Sequence, residues 1–236
     1  MNLKGNRLTW LGHATFRIET NEGKSIYVDP WVMGNPLCPQ GEREVKQADA
    51  LICTHGHGDH IGDAVTIAKQ HDPTVVGIFE LCMWIEKKGA KNVSPMNKGG
   101  TQAVAGVKAT MVDAVHSCGI QDDDGSMVYG GEACGYVLEL PGGVKLYHAG
   151  DTGVFGDMAI IRELYAPEIV CLPIGDHFTM GPREAAYACK LLEPKYVIPM
   201  HFGTFPVLVG RPSELRDLLG PGGPEVVEMQ AGETVG

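Results

Sequence analysis

The length, composition and charge of this 236-residue chain limit both its architecture and its partners. An apolar content of 44% is enough for a substantial core, and the length fits one α/β domain over residues 1–236. The 19 basic and 29 acidic residues give a formal charge of −10, which argues against the large phosphate-neutralising surface that bulk nucleic-acid binding requires.

The sequence contains neither a membrane-span pattern nor a disulfide pattern. No run approaches the roughly 20 uninterrupted apolar residues of a membrane helix. The N-terminal segment leads directly into strand-like sequence, so we expect a cytoplasmic protein without a membrane partner. The seven cysteines are an odd number and form no C-x-x-C pair, so we expect free thiols.

Short β-type runs recur along the chain, separated by turns rich in glycine, proline and aspartate. The predicted strands cover residues 8–11, 15–18, 25–28, 50–53, 75–78, 107–112, 136–140, 144–147, 169–172 and 196–198. Apolar residues at helical spacing predict helices over 61–68 and 185–192, with Pro182 in the first turn of the second. Early hairpins, followed by strands that alternate with helices, favour two packed mixed sheets with helices on their outer faces.

The segment 55–60 has the sequence HGHGDH and follows the apolar strand predicted over 50–53. Gly56 and Gly58 allow a tight turn, so that the intervening side chains can converge. The metal-competent side chains are His55, His57, Asp59 and His60. Imidazole nitrogen and carboxylate oxygen suit zinc and its neighbours. A solvated polar loop is the structural alternative, but the pattern is far longer than a chance pair and indicates a metal site.

Three later strands each end near an isolated metal-competent residue. His116 follows the strand predicted over 107–112, Asp151 follows the strand over 144–147, and His201 follows the strand over 196–198. A lone histidine at a strand end is more often structural than a ligand. Here, however, the 55–60 segment needs further ligands to complete its coordination, so all three are candidates.

In this order the motifs resemble those of the metallo-β-lactamase superfamily: H-x-H-x-D-H, then a single His, a single Asp and a final His. The segments 10–16 (WLGHATF), 28–31 (VDPW), 130–136 (GGEACGY) and 173–182 (PIGDHFTMGP) are similar to uncharacterised metal-dependent hydrolases that resemble L-ascorbate-6-phosphate lactonase. The resemblance covers nearly the whole chain. It implies an α/β fold, the αββα four-layer sandwich of two mixed sheets, with a two-metal site at one edge of the sheets.

The resemblance also implies a role for each candidate ligand. One cation would be held by three imidazoles, those of His55, His57 and His116. The other would be held by a mixed set, Asp59, His60 and His201. Asp151 would bridge the two cations, because a carboxylate has two oxygens and its charge offsets part of their repulsion. Zinc ranks first among the metals, while manganese, iron and nickel suit the same donors.

The implied activity is hydrolysis of a small anionic metabolite, a lactone, ester or phosphodiester, by a hydroxide bound to two metals. Asp59 would orient that hydroxide or accept its proton. His13 and His177 lie outside the ligand set, and each is either a proton donor or substrate contact, or a histidine held by structural hydrogen bonds. Asp29, before Pro30, is either an acceptor for a ligand imidazole N–H or part of an ordinary Asp-Pro turn.

Two other function classes stay open on the sequence. A metal-dependent nuclease acting on RNA or DNA would need a basic groove beside the metals, which the acidic composition does not favour. A non-catalytic metal-binding protein of the same fold would not need all seven ligands. The sequence leaves the substrate, the metal and any homo-oligomeric state open.

Overall fold

Two seven-stranded mixed sheets form the centre of the protein in a computed structural model that describes residues 1–236. The strands, in chain order, are β1 (Arg7–Trp10), β2 (Phe16–Glu19), β3 (Ser25–Val28), β4 (Ala50–Ile52), β5 (Thr74–Ile78), β6 (Val93–Met96), β7 (Thr101–Val104), β8 (Val107–Asp113), β9 (Gly119–Gln121), β10 (Met127–Tyr129), β11 (Cys134–Glu139), β12 (Lys145–His148), β13 (Ile169–Pro173), β14 (Tyr196–Met200), β15 (Glu225–Val226) and β16 (Thr234–Val235). The first sheet has the order β16-β1-β2-β3-β4-β5-β6, and the second has the order β15-β14-β13-β12-β11-β8-β7. β9 and β10 form a separate hairpin.

Each sheet is antiparallel on one side and parallel on the other. In the first sheet, β16 to β3 pair antiparallel and β3 to β6 pair parallel. In the second sheet, β12 to β15 pair parallel and β7, β8, β11 and β12 pair antiparallel. β8 and β12 both run antiparallel to β11, so they share a direction. The carboxyl ends of β8, β12 and β14 therefore meet at one edge of the second sheet.

Six helices accompany the sheets: α1 (Gly58–Ile61), α2 (Ala64–His71), α3 (Phe79–Lys87), α4 (Met158–Tyr165), α5 (Pro182–Leu192) and α6 (Pro212–Leu219). A core of 47 buried residues draws on both sheets and on α2 and α3. A second core of 17 buried residues packs the other face of the second sheet against α4, α5 and α6. The layers run helix, sheet, sheet, helix, which confirms the predicted αββα sandwich.

All ten predicted strands are present, with ends that differ by at most two residues. The prediction of one continuous helix over 61–68 is wrong, because α1 ends at Ile61 and a separate helix, α2, begins at Ala64. Asp63 leaves the helical conformation (φ −110°, ψ 0°), and its carboxylate accepts the backbone N–H groups of Val32 and Met33 at 2.6 and 2.8 Å. This tertiary contact interrupts a continuous apolar stripe.

The remaining strands and helices have weaker sequence signals. The strands β9, β10, β15 and β16 consist of two or three residues each, and β6 and β7 are partly exposed. The predicted free thiols are confirmed, since all seven cysteines are unpaired and buried. None of the six helices has the length and apolar character needed to cross a membrane.

Candidate metal centre

The seven candidate ligands meet at one edge of the two sheets. The first sheet supplies four of them from the segment after β4: His55, His57, Asp59 and His60. The second sheet supplies three: His116 after β8, Asp151 after β12 and His201 after β14. We call His55, His57 and His116 the first triad, and Asp59, His60 and His201 the second triad.

Asp151 is the side chain that contacts both triads. Its Oδ2 atom lies close to four Nε2 atoms: 3.0 Å from His201, 3.2 Å from His60, 3.7 Å from His116 and 3.9 Å from His55. Burial alone would raise the pKa of this carboxyl, but the imidazoles of His60 and His201 lower that pKa well below its usual range. Asp151 is therefore a buried anion surrounded by imidazoles.

The first triad presents nitrogen lone pairs. Its ligand atoms all lie within 4.8 Å of one another, and His55 Nε2 is 3.0 Å from His57 Nδ1. Burial lowers the pKa of all three imidazoles, most strongly for His55. All three rings are consequently neutral at pH 7, which is the form that binds a metal ion.

The second triad forms a compact group with His13, again with ligand atoms within 4.8 Å of one another. Burial lowers the pKa of His60, but the carboxylates of Asp151 and Asp29 outweigh it and raise that pKa well above its ordinary value. Burial raises the pKa of Asp59, yet the hydrogen bond from His13 and the charge of His60 bring it below the ordinary value. In the metal-free protein His60 is therefore protonated, and its positive charge offsets the negative charge of the surrounding carboxylates.

Asp29 orients one imidazole of each triad. Its Oδ2 accepts the Nδ1–H of His60 at 2.8 Å and the hydroxyl of Thr54 at 2.8 Å, while Oδ1 accepts the Thr54 backbone N–H. Thr54 Oγ1 in turn lies 3.0 Å from His55 Nδ1. Because Nδ1 is engaged in both rings, Nε2 of His55 and of His60 is left facing the cluster. These contacts favour the acceptor role of Asp29 over an ordinary turn.

Several buried polar atoms of the cluster lack hydrogen-bond partners. His60 Nε2, His201 Nε2 and Asp151 Oδ1 are buried and make no hydrogen bond. The two nitrogens lie 3.2 and 3.0 Å from Asp151 Oδ2, but without the alignment of a hydrogen bond. Buried polar groups are almost always hydrogen-bonded, so this concentration at one point needs an explanation. Divalent cations supply one, since nitrogen and carboxylate oxygen donors are the ligands that such ions take. The residues present therefore fit a metal centre.

His13 lies against Asp59 rather than facing solvent. Its Nε2 is 3.0 Å from Asp59 Oδ2, and its Nδ1 is 2.9 Å from the hydroxyl of Thr204. Burial, partly offset by Asp59, lowers the pKa of His13 to about 4, so the ring is neutral at pH 7. A neutral ring that donates from Nε2 to the carboxylate must accept the Thr204 hydroxyl at Nδ1.

The structure does not bring His177 into this cluster. The residue is exposed on the loop between β13 and α5, and its backbone N–H donates to Asp176. Its ring packs edge-on against Phe178, with centroids 4.4 Å apart, and makes no hydrogen bond. The loop itself lies close to the ligands, because the Met180 N–H donates to the carbonyl of Thr152, next to Asp151.

Sequence reasoning missed Thr54, Thr204 and His148. His148 is buried, its Nε2 donates to the carbonyl of Ala14 at 2.9 Å, and its Nδ1 accepts the N–H of Gly150 at 3.2 Å. It thereby joins the segment that carries His13 to the segment that carries Asp151. Thr54 could have been found from the sequence because it directly precedes the candidate ligand His55. Thr204 carries no such signal, because its hydrogen-bond partner, His13, is 191 residues away.

Known proteins share both the sequence and the architecture of this chain. The family model of the beta-lactamase superfamily domain matches residues 7–201. UPF0173 metal-dependent hydrolases of Koribacter versatilis and Solibacter usitatus are 62% and 53% identical, covering 99% and 97% of this chain and 99% and 98% of their own lengths. The structure of Igni18, a metallo hydrolase from Ignicoccus hospitalis, has a TM-score of 0.85 and 36% identity, covering 98% of this chain and 97% of Igni18. These matches show that the chain belongs to the metallo-β-lactamase superfamily and is one of its metal-dependent hydrolases.

Proposed function

We propose that the protein hydrolyses a lactone, ester or phosphodiester of a small anionic metabolite, using two divalent cations held by the seven ligands. The observation that carries this proposal is the position of Asp151. Its Oδ2 lies 3.0–3.9 Å from imidazole nitrogens of both triads, where a carboxylate can serve one cation on each side. The narrower likeness to L-ascorbate-6-phosphate lactonase stays a prediction.

The first triad would hold one cation and the second triad the other, with zinc the first choice and manganese, iron or nickel as alternatives. When bound, such a pair lowers the pKa of a water molecule toward neutrality and polarises the electrophilic oxygen of the substrate. Neither a serine nor a cysteine nucleophile is required, in keeping with seven buried cysteines.

Asp59 and His13 are the proposed proton-handling pair. Asp59 is an anion whose Oδ2 accepts the His13 N–H, while its other oxygen accepts no hydrogen bond. That free oxygen can orient an attacking water or take its proton. The Thr204 hydroxyl fixes the His13 tautomer, so that His13 can hold Asp59 in place while the proton that Asp59 takes from the water passes to the leaving group.

His177 is proposed as a substrate contact. Support comes from its exposed position on a loop that is hydrogen-bonded to Thr152, beside Asp151. Its ring makes no hydrogen bond that would prepare it as a proton donor. We therefore expect His177 to contact the substrate at the rim of the site.

Metal stoichiometry tests the proposal. Elemental analysis after reconstitution should give two ions per chain for the unaltered protein. The variants His57→Ala and His201→Ala should each retain one. His71→Ala, at the end of α2 and outside the cluster, is the matched control and should retain both. A reconstituted protein that never exceeds one ion per chain would contradict the dinuclear assignment.

The substrate class is tested separately with the fully loaded protein. A screen of lactones, carboxylic esters, phosphodiesters and phosphomonoesters should identify at least one substrate whose hydrolysis is lost in both His57→Ala and His201→Ala. Failure of all four classes with two ions bound would remove the proposed substrate class while leaving the metal centre in place.

A further inference from the structure

Two aromatic side chains outside the ligand set, Trp31 and Phe205, stack beside the candidate centre. Their ring centroids are 6.2 Å apart with an interplanar angle of 29°. Each meets the ring of His13 edge-on, at 5.4 Å for Trp31 and 5.7 Å for Phe205. Because His13 hydrogen-bonds Asp59, this aromatic pair stands one side chain away from the second triad.

Two glycines leave the space that the Trp31 indole occupies. A Cβ on Gly34 would lie 2.8 Å from the indole Nε1, and a Cβ on Gly62 would lie 2.7 Å from the indole Cδ1. Only glycine leaves room for the indole at both points. Gly62 directly follows α1, which carries Asp59 and His60, so the indole is packed against the helix that supplies two ligands.

The position of Phe205 is fixed by the loop that follows His201. The Gly203 N–H donates to the Leu208 carbonyl at 3.1 Å, and the Leu208 N–H donates to the Phe205 carbonyl at 3.0 Å. Leu208 is buried beneath this turn. The Arg211 guanidinium donates to the carbonyls of Leu208, Val209 and Gly210.

Phe205 nevertheless keeps 36% of its surface exposed beside a polar cluster. Exposed aromatic surface that is held in place beside a polar site is typical of ligand contact. In such sites the polar groups fix the reacting group, and the apolar wall binds the rest of the molecule. In this protein the His13 ring lies between the polar groups, represented by Asp59, and the apolar pair Trp31 and Phe205.

We propose that Trp31 and Phe205 form an aromatic wall that selects substrates with an apolar, preferably aryl, substituent on the group bound at the metal centre. The substrate would thus be amphipathic, with an anionic or polarised oxygen group toward the ligands and a flat apolar group on the wall. This inference rests on the proposed function, because the wall has meaning only beside a working centre.

A pair of non-hydrolysable ligands tests the wall by calorimetry on the metal-loaded protein. Phenylphosphonate and methylphosphonate carry the same anionic group and differ only in the substituent that would reach the wall. Phenylphosphonate should bind about tenfold more tightly, the gain expected for an aromatic ring that is partly buried on binding. In Phe205→Ala this preference should disappear, because the phenyl ligand loses affinity and the methyl ligand does not.

Two variants serve as controls. Phe205→Leu keeps an apolar side chain and should retain part of the preference. Val209→Ala removes an exposed apolar side chain of the same loop, beyond the buried Leu208, and should leave both affinities unchanged. Thermal melting and gel filtration accompany each variant.

The possible failures are distinguishable. Equal binding of the two phosphonates by the unaltered protein, or an equal loss of both in Phe205→Ala, would overturn the wall and leave the proposed function standing. A change of oligomeric state in Phe205→Ala would assign the aromatic surface to self-association and likewise overturn the wall. Binding of neither phosphonate by the loaded protein would contradict the proposed centre, and the wall with it.

Discussion

Asp29 is a single buried carboxylate that orients side chains in both halves of the candidate centre. It holds His60 directly and His55 through Thr54, so one residue selects the tautomer of an imidazole in each triad. The sequence placed Asp29 beside a proline and left two interpretations open. Its contact with His60 spans 31 residues, so only the folded chain could decide between them.

Substitution at Asp29 should weaken metal binding less than substitution at Asp151. Asp29→Asn removes a hydrogen-bond acceptor that only orients candidate ligands. Removal of such an acceptor usually lowers metal affinity by about 10–100-fold. Asp151→Asn alters a group in contact with both triads and should cost more. Parallel metal titrations measure the difference. Asp63→Asn, a buried carboxylate that binds only backbone N–H groups of a loop, is the control; a larger loss for Asp29 would contradict the assignment.

His13→Gln should separate metal content from turnover. Since the neutral ring is hydrogen-bonded to Asp59 and Thr204, we expect both metals to stay bound while the rate falls by about 10²–10⁴-fold, the usual range for proton-transfer groups. Metal analysis and rate measurements on the same sample check this. Thr204→Val, which removes only the bond at Nδ1, should show a smaller fall. Loss of metal in step with the rate would instead identify His13 as a ligand.

Metal binding should depend on pH differently at the two triads. The pKa of His60 is raised in the metal-free protein, so an ion at the second triad must displace its proton, and affinity there should rise with pH, about tenfold per unit below that pKa. The first-triad imidazoles have lowered pKa values and carry no proton to displace near neutrality. Calorimetry at pH 7 in two buffers of different ionisation enthalpy should detect about one released proton for one ion and none for the other. Equal proton release at both steps would contradict this.

At the scale of elements, close packing of two loops positions His201. A Cβ on Gly175, after β13, would lie 2.1 Å from the His201 carbonyl oxygen, and a Cβ on Gly210 would lie 1.7 Å from the Ile174 carbonyl oxygen. The ends of β13 and β14 therefore approach each other closely enough to exclude any side chain. The sequence contains these glycines, but nothing in it distinguishes them from the other glycines of the chain.

Gly175→Ala should displace His201 and destabilise the fold. Overpacking of this kind typically costs about 1–3 kcal/mol in the free energy of unfolding, and the backbone at His201 cannot yield without moving its ring. We expect a lower melting temperature and weaker binding of one metal ion. Gly153→Ala is the matched control, because a Cβ there meets no atom within 4 Å. Equal effects of the two substitutions would rule out the packing explanation.

At the scale of the whole molecule, the candidate centre joins the two sheets. Four candidate ligands follow β4 of the first sheet, and three follow strands of the second. A bound ion would thus be coordinated from both halves of the fold and would favour the folded state over the unfolded chain. The large core draws on both sheets, and one domain over residues 1–236 stays a prediction.

Removal of metal should therefore lower the stability of the entire chain. A free ion at 100 times its dissociation constant raises the free energy of unfolding by about 2.7 kcal/mol, and chelation would remove this stabilisation. Differential scanning calorimetry with and without a chelator measures the shift in melting temperature. A His57→Ala/His201→Ala double variant should be insensitive to the chelator. An unchanged melting temperature in the unaltered protein, with loss of metal confirmed by elemental analysis, would contradict this role.

The sequence by itself determined the strands of the sandwich core and the seven candidate ligands. Both depend on local signals: alternation and apolar runs mark a strand, and the 55–60 segment concentrates its ligand types within six residues. The two-metal assignment came from the order of motifs, and it stays a prediction. The weak edge strands β15 and β16 lacked such a signal, because pairing with β14 and β1 rather than local propensity makes them strands.

Only the tertiary structure decided which side chains surround those ligands. Thr204 reaches His13 across 191 residues, and His148 reaches Ala14 across 134. The aromatic pair likewise joins residues 31 and 205. The physical reason is that orientation, burial and pKa depend on neighbours brought together by the packing of the two sheets, whereas local sequence specifies only the element on which each side chain is carried.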